Sequence, residues 1–130
     1  MRILSINLDF RNPGNRGELR TLAATYDPDF FVLVESLPED APLLGDRFPY
    51  RAASRENQVC GHGLEILSKF PLVGTTVWRA GKSIPMLRTM ARTSLGEVEI
   101  LAVHIDPTLP RAGLLRMIRS FWRRHAQFRL

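Results

Sequence analysis

The chain has 130 residues, which is enough for one domain and too short for two ordinary ones. Of these residues 45% are hydrophobic and 24% are charged, a composition typical of a globular protein. No apolar run reaches the roughly 18 residues of a membrane span, and the N-terminus lacks the basic and apolar segments of a signal peptide. The single cysteine, Cys60, excludes an intramolecular disulfide and fits a reducing compartment, so we expect a cytoplasmic protein.

The net charge of +5 originates in the last twenty residues. These contain no acid and six arginines, Arg111, Arg116, Arg119, Arg123, Arg124 and Arg129. The first 110 residues therefore hold 12 basic against 13 acidic groups, a net charge of −1. A basic tail of this kind predicts either contact with phosphate backbones or another anionic surface, or the solvated face of a helix.

The first quarter of the chain predicts a strand, a helix and a second strand. The segment RILSINL has the apolar and β-branched content of a strand. In NRGELRTLAATY, apolar residues from Leu19 to Tyr26 recur at helical spacing. Asp27-Pro28 ends this helix, because a residue before proline is disfavoured in the helical region. FFVLV is continuously apolar, which is typical of a strand covered on both faces.

The remainder predicts a loop-rich stretch over residues 38–63, with one strand near Tyr50, and then four strands and a helix. The four strands are LEILS, LVGTTVW, LRTMART and VEILAVHI, the last two joined by SLGE as a hairpin turn. From Pro110, apolar spacing predicts an amphipathic helix whose other face is arginine. The order of elements predicts an α/β (α+β) sandwich with a mixed, largely antiparallel sheet and helices on one face.

Three of the predicted strands end on polar side chains. The first ends on Asn7 and Asp9, the second on Glu35, and the last on His104 and Asp106. Sites form at strand ends in such sheets, and a buried carboxylate is costly unless it is paired or binds a cation. Each residue also has a structural interpretation, with Glu35 at the surface, His104 as a neutral histidine near the rim, and Asn7 as a turn or cap residue.

Five blocks in chain order, RILSINL, DPDFFVLVES, FPYRAA, GLEILSKFPL and EILAVHIDP, resemble successive blocks of the endonuclease/exonuclease/phosphatase superfamily. In that superfamily the first strand ends with an asparagine, matched by Asn7, and the second follows a Pro-Asp pair and ends in glutamate, matched by Glu35. The residues around His104 resemble the strand that delivers a histidine to the site. The resemblance implies half of a four-layer nuclease/phosphatase fold.

The resemblance also implies a divalent-metal-dependent phosphoesterase, a nuclease or phosphatase that uses Mg²⁺ or Mn²⁺. Glu35 would be the metal ligand, and Asn7 would orient the phosphate or a metal-bound water as part of the same site. His104 would contact a phosphoryl oxygen or assist the leaving group. Asp106 has no family counterpart, and either supports the metal shell or begins the turn before Pro107.

The family's later blocks, which supply a phosphate-orienting Asp and Asn and the general base, are missing from this sequence. We therefore expect a single, apparently truncated domain over residues 1–130 that resembles only the N-terminal half of the family. One face of its sheet would be exposed and covered by a second copy in a homodimer. The base would come from a partner chain, from Asp106 or from hydroxide on the metal.

Two other functions stay open from the sequence. In the first, the chain would be a non-catalytic truncated remnant. In the second, it would be a nucleic-acid- or phosphate-binding module that uses the arginine-rich helix. Affinity in the second case would depend strongly on salt and survive the loss of Glu35.

Overall fold

The computed structural model describes residues 1–9, 13–54, 63–80 and 84–104. These ranges contain an α-helix, α1, at Leu19–Tyr26, and two 3₁₀ segments, at Pro13–Glu18 and Ala41–Arg47. The strands are β1 Ile3–Asn7, β2 Phe30–Ser36, β3 Tyr50–Ala53, β4 Gly63–Ser68, β5 Leu72–Ala80, β6 Ile84–Thr93 and β7 Gly96–Val103. Asp106 and the predicted arginine-rich helix lie outside the described residues. No helix in the described ranges is long and apolar enough to cross a membrane.

The first sheet has the strand order β1-β2-β4-β3 and is mixed. β1 runs parallel to β2, whereas β4 is antiparallel to both β2 and β3. The apolar strand β2 lies inside this sheet, between β1 and β4. Alternate side chains of β2 enter two different cores. Phe31 and Leu33 face the core on the helical side, and Phe30 and Val32 face the other. The prediction that this strand is covered on both faces is confirmed.

The helical side of the first sheet is covered by α1 and the 3₁₀ segments. Leu19 and Ala23, four residues apart on α1, are buried in this core. The helix ends where predicted, since Asp27 adopts a left-handed conformation with φ 40° and its N–H donates to the Ala23 carbonyl at 3.1 Å. Its beginning was predicted too early, because the Gly-rich residues before Leu19 form a 3₁₀ segment instead.

The second sheet is an antiparallel meander of β5, β6 and β7 that packs on the other face of the first sheet. Leu87, Ile100 and Ala102 from this sheet share a buried core with Phe30 and Ile66. The turn between β6 and β7 falls on Ser94-Leu95 as predicted.

This second sheet corrects the expectation of one sheet with an exposed face. The strands were predicted, but their partners were not: β5 to β7 pair with each other and pack across the first sheet instead of extending it. Both faces of the first sheet are therefore covered within one chain.

Candidate functional site

The carboxyl ends of β1 and β2 form the edge that carries the predicted polar residues. Because these two strands are parallel, Asn7 lies in register with Val34, one residue before Glu35. β7 of the second sheet ends at Val103, and the next residue, His104, reaches the same place. Three strand ends from two sheets thus converge, and Asp106 lies outside the described residues.

Glu35 is the centre of this cluster. Its Oε1 accepts a hydrogen bond from Asn7 Nδ2 at 3.1 Å and lies 3.1 Å from Nε2 of His104. The side chains of Glu35 and His104 are 15% and 13% exposed, so their contact is shielded from most of the solvent. Both partners lie on the same oxygen, and Oε2 of Glu35 makes no hydrogen bond within the described part of the chain.

The side chain of Asn7 is held in one orientation by the backbone two residues later. Its Oδ1 accepts the N–H of Asp9 at 2.9 Å, a turn in which Asp9 adopts a left-handed φ of 46°. A backbone N–H can only donate, so the amide oxygen must face it and the amide NH₂ must face Glu35. The turn that was the structural interpretation of Asn7 therefore also aims its NH₂ at the carboxylate.

The backbone of Glu35 is unusual, with a φ of 58°. It is the extra residue of a β-bulge, because Val34 pairs with Leu64 and Ser36 with Gly63. Bulges redirect a side chain and are common beside active sites. A non-glycine residue held in the left-handed region costs about 1–3 kcal/mol, and such strain persists where the surrounding structure enforces it.

Gly63 lies opposite the bulge and is packed against it. A Cβ at this position would be 2.4 Å from the Ser36 carbonyl oxygen and 2.9 Å from its Oγ. Glycine is the one residue that allows β4 to approach the residue after Glu35 so closely. The first position of the GLEILSKFPL block therefore has a structural role beside the site.

A second contact near this edge was not predictable from the sequence. Asp40, in the turn after β2, is fully buried and pairs with Arg16 from the 3₁₀ segment after β1. Neither residue had a sequence signal, since Arg16 resembled a helix-surface residue and Asp40 a loop residue. Spacing along the chain gives no indication that they meet.

The donor set fits a hard divalent cation held largely by water and substrate. Within the described residues no three His, Cys, Asp or Glu side chains form a cluster that could hold a metal by themselves. Mg²⁺ keeps several waters and is commonly bound through one or two carboxylates plus substrate phosphate. Glu35 meets that requirement because Asn7 and His104 fix one carboxylate oxygen and leave Oε2 for a cation.

Several solved structures have the same fold as this chain. The chain is similar to D. rerio TDP2 complexed with a single-strand DNA product, with a TM-score of 0.77 and 15% identity over 99% of this chain and 56% of that one. It is similar to TDP2 from C. elegans, with a TM-score of 0.63 and 15% identity over 94% and 43%. The endonuclease domain of TRAS1, a telomere-specific non-LTR retrotransposon, has a TM-score of 0.59 and 17% identity over 95% and 53%.

These likenesses define the class of fold. TDP2 and the TRAS1 endonuclease domain are members of the endonuclease/exonuclease/phosphatase superfamily. The chain has the fold of these structures and spans about half of their length, so the fold class predicted from the sequence is confirmed and the predicted resemblance is confirmed at the level of the fold. No protein-family model matches the chain, and neither does any curated protein.

Proposed function

We propose that this chain is a divalent-metal-dependent phosphoesterase that uses Mg²⁺ or Mn²⁺. The observation that carries the proposal is the convergence of Asn7 and His104 on one oxygen of Glu35 at 3.1 Å each. Asn7 and His104, at two other strand ends, satisfy one carboxylate oxygen of Glu35 and leave the other available. A carboxylate that served only to join the strands would have no need of a strained bulge to aim it.

Each residue has a role in this proposal. Glu35 would hold the cation through Oε2, and Asn7, which fixes the carboxylate, would orient the phosphate. The amide oxygen of Asn7 accepts from Asp9 and keeps a second lone pair that could serve the metal shell. His104 contacts a phosphoryl oxygen or the leaving group at the edge of the site. When bound, the cation stabilises the negative charge that develops on the phosphoryl oxygens.

Hydrolysis requires that water attack phosphorus while the bond to the leaving oxygen breaks. The attacking water loses a proton to a base, and the leaving oxygen gains one. Asp106, two residues beyond His104, is our proposed base from this chain. The alternative source is a second copy in a homodimer, which sedimentation at several concentrations tests. A monomer that hydrolyses substrate through Asp106 would exclude the partner's contribution.

The proposed substrate is a phosphate ester, with nucleic acid as the first class to test. One structure of this fold, D. rerio TDP2, is complexed with a single-strand DNA product. The six arginines beyond residue 110 favour binding to a polyanion. Because loops determine specificity on a shared fold, the fold does not select among nucleic acids, small phosphodiesters and phosphomonoesters. The single cysteine is consistent with activity in the cytoplasm.

The decisive comparison uses two Glu→Gln variants. A chromogenic phosphodiester and a fluorescent single-stranded oligonucleotide are incubated with Mg²⁺ or Mn²⁺ and with a chelator. Glu35→Gln should abolish turnover as fully as the chelator, whereas Glu39→Gln, the same change at an exposed position, should leave it unchanged. Turnover that survives Glu35→Gln or the chelator would refute the proposed site.

The arginine-rich segment supports a second function, a nucleic-acid-binding module. It predicts that oligonucleotide affinity falls steeply with salt and is the same in Glu35→Gln as in the natural chain. Binding of this kind without hydrolysis in any of the assays would replace the enzyme proposal.

A further inference from the structure

The two loops that leave the candidate site are joined by a buried ion pair. Nε of Arg16, in the 3₁₀ segment after β1, donates to Oδ1 of Asp40 at 2.5 Å. The Asp40 side chain is fully buried and that of Arg16 is 12% exposed. Such a pair rigidly connects its two segments, because separating the partners would leave a charge uncompensated in the interior.

The second oxygen of Asp40 fixes the backbone just after Glu35. Oδ2 accepts the N–H of Leu37 at 2.5 Å, and the Asp40 N–H donates to the Leu37 carbonyl at 3.0 Å. The chain is therefore closed into a turn two residues beyond Glu35. On the other side of the bulge Gly63 packs against the Ser36 carbonyl. Glu35 is thus confined between the turn and β4.

We propose that Arg16 and Asp40 are positioning residues that hold the Glu35 carboxylate against Asn7 and His104. A glutamate with φ 58° is not in a preferred backbone conformation and stays there only if its neighbours enforce it. The turn closed by Asp40 supplies that constraint, and Arg16 anchors the turn to the loop that follows Asn7's strand. The functional consequence, cation affinity, rests on the proposed function.

The informative variants change the pair with little change in volume. Asp40→Asn leaves one acceptor oxygen for two donors, so an amide NH₂ must face either Leu37 N–H or Arg16. Arg16→Lys is the milder variant for the case that Asp40→Asn does not fold, since it keeps the charge and loses the planar guanidinium. Asp27→Asn is the matched control, because Asp27 is also paired, with Lys69 at 2.7 Å, but lies before β2, at the opposite end of that strand.

Two measurements separate positioning from simple loss of stability. The first is the set of imidazole ¹H–¹⁵N signals of His104, assigned with His104→Gln and recorded without metal on folded protein. Asp40→Asn and Arg16→Lys should move these signals in the direction of the Glu35→Gln spectrum, and Asp27→Asn should not. The second is Mn²⁺ affinity by calorimetry, which Asp40→Asn should weaken about tenfold or more and Arg16→Lys about threefold, against no change in Asp27→Asn.

The outcomes distinguish the two proposals. If Glu35→Gln moves the His104 signals while folded Arg16→Lys and Asp40→Asn leave them in place, the pair does not position Glu35 and the inference is wrong. If the pair variants move the signals as expected but the natural chain binds no Mn²⁺, the positioning inference holds and the proposed metal-dependent function fails.

Discussion

Gly63→Ala is the substitution that most directly perturbs the bulge carrying Glu35. The added Cβ would lie 2.4 Å from the Ser36 carbonyl oxygen, and real Cβ contacts below 3.0 Å essentially do not occur. The ends of β2 and β4 must therefore separate by at least about 0.6 Å at this point. Gly63 has no left-handed φ, so the alanine is strained by this contact and not by its own backbone.

The expected magnitudes follow from that displacement. Overpacking of a close backbone approach costs about 1–3 kcal/mol of unfolding free energy. A misplacement of about 1 Å at a catalytic group can cost about 100-fold in rate, so a shift of roughly half that size beside Glu35 should lower hydrolysis about tenfold. Urea unfolding followed by circular dichroism measures the first quantity, and the Mn²⁺-dependent phosphodiester assay measures the second.

Gly17→Ala is the matched control for this experiment. It makes the same chemical change next to α1, where a Cβ would meet nothing within 4 Å and φ is not left-handed. We expect its stability to be unchanged or raised by up to about 1 kcal/mol, because alanine restricts the unfolded chain. If Gly63→Ala were as stable and as active as Gly17→Ala, the close approach between β4 and the bulge would not exist in solution.

Three further sets of variants test the strain at Glu35, the packing of the two sheets and the Asp27–Lys69 pair. Glu35→Gly should be more stable than Glu35→Ala by about 1 kcal/mol in urea unfolding, the reverse of the usual order, because glycine relieves the left-handed φ; equal stabilities would contradict strain at the bulge. Leu87→Ala, in the core between the two sheets, should cost about 2–5 kcal/mol in a single cooperative transition, and a loss below 1 kcal/mol would show that the sheets are not packed together. The hydrogen bond from Lys69 lowers the pKa of Asp27 below its ordinary 3.8. The natural chain should therefore be more stable than Asp27→Asn at pH 7, and this difference in unfolding free energy should disappear as the pH falls below 3.8. A difference independent of pH would refute the pairing.

The strand ends were predictable because their pattern is local. A parallel pair of strands must place its carboxyl ends together, so Asn7 and Glu35 were expected at one edge once RILSINL and FFVLV were recognised as strands. His104 was predicted at the same site because the residues around it resemble the superfamily strand that carries a histidine. The structure brings all three within hydrogen-bonding distance, and their roles in catalysis stay predictions.

The features that were not predictable depend on contacts between distant segments. The pairing of β5 to β7 into a separate sheet depends on which faces pack together, and the strand pattern was compatible with one sheet or two. The bulge at Glu35 could not be predicted, because no residue pattern within the apolar strand indicates it. The sequence does contain Gly63, which packs opposite the bulge. Asp40 and Arg16 are 24 residues apart, and ordinary charged residues in loops give no sign of burial.

The metal-dependent function requires that Oε2 of Glu35 bind a divalent cation beside a phosphate. The most direct measurement is a crystal grown with Mn²⁺ and a nucleoside monophosphate, with anomalous diffraction recorded at the manganese absorption edge. We expect one anomalous peak within bonding distance of Glu35, with the phosphate between it and His104, and loss of that peak in Glu35→Gln. A peak elsewhere in the chain, or none at Glu35 with the nucleotide bound, would show that Glu35 is not the metal ligand.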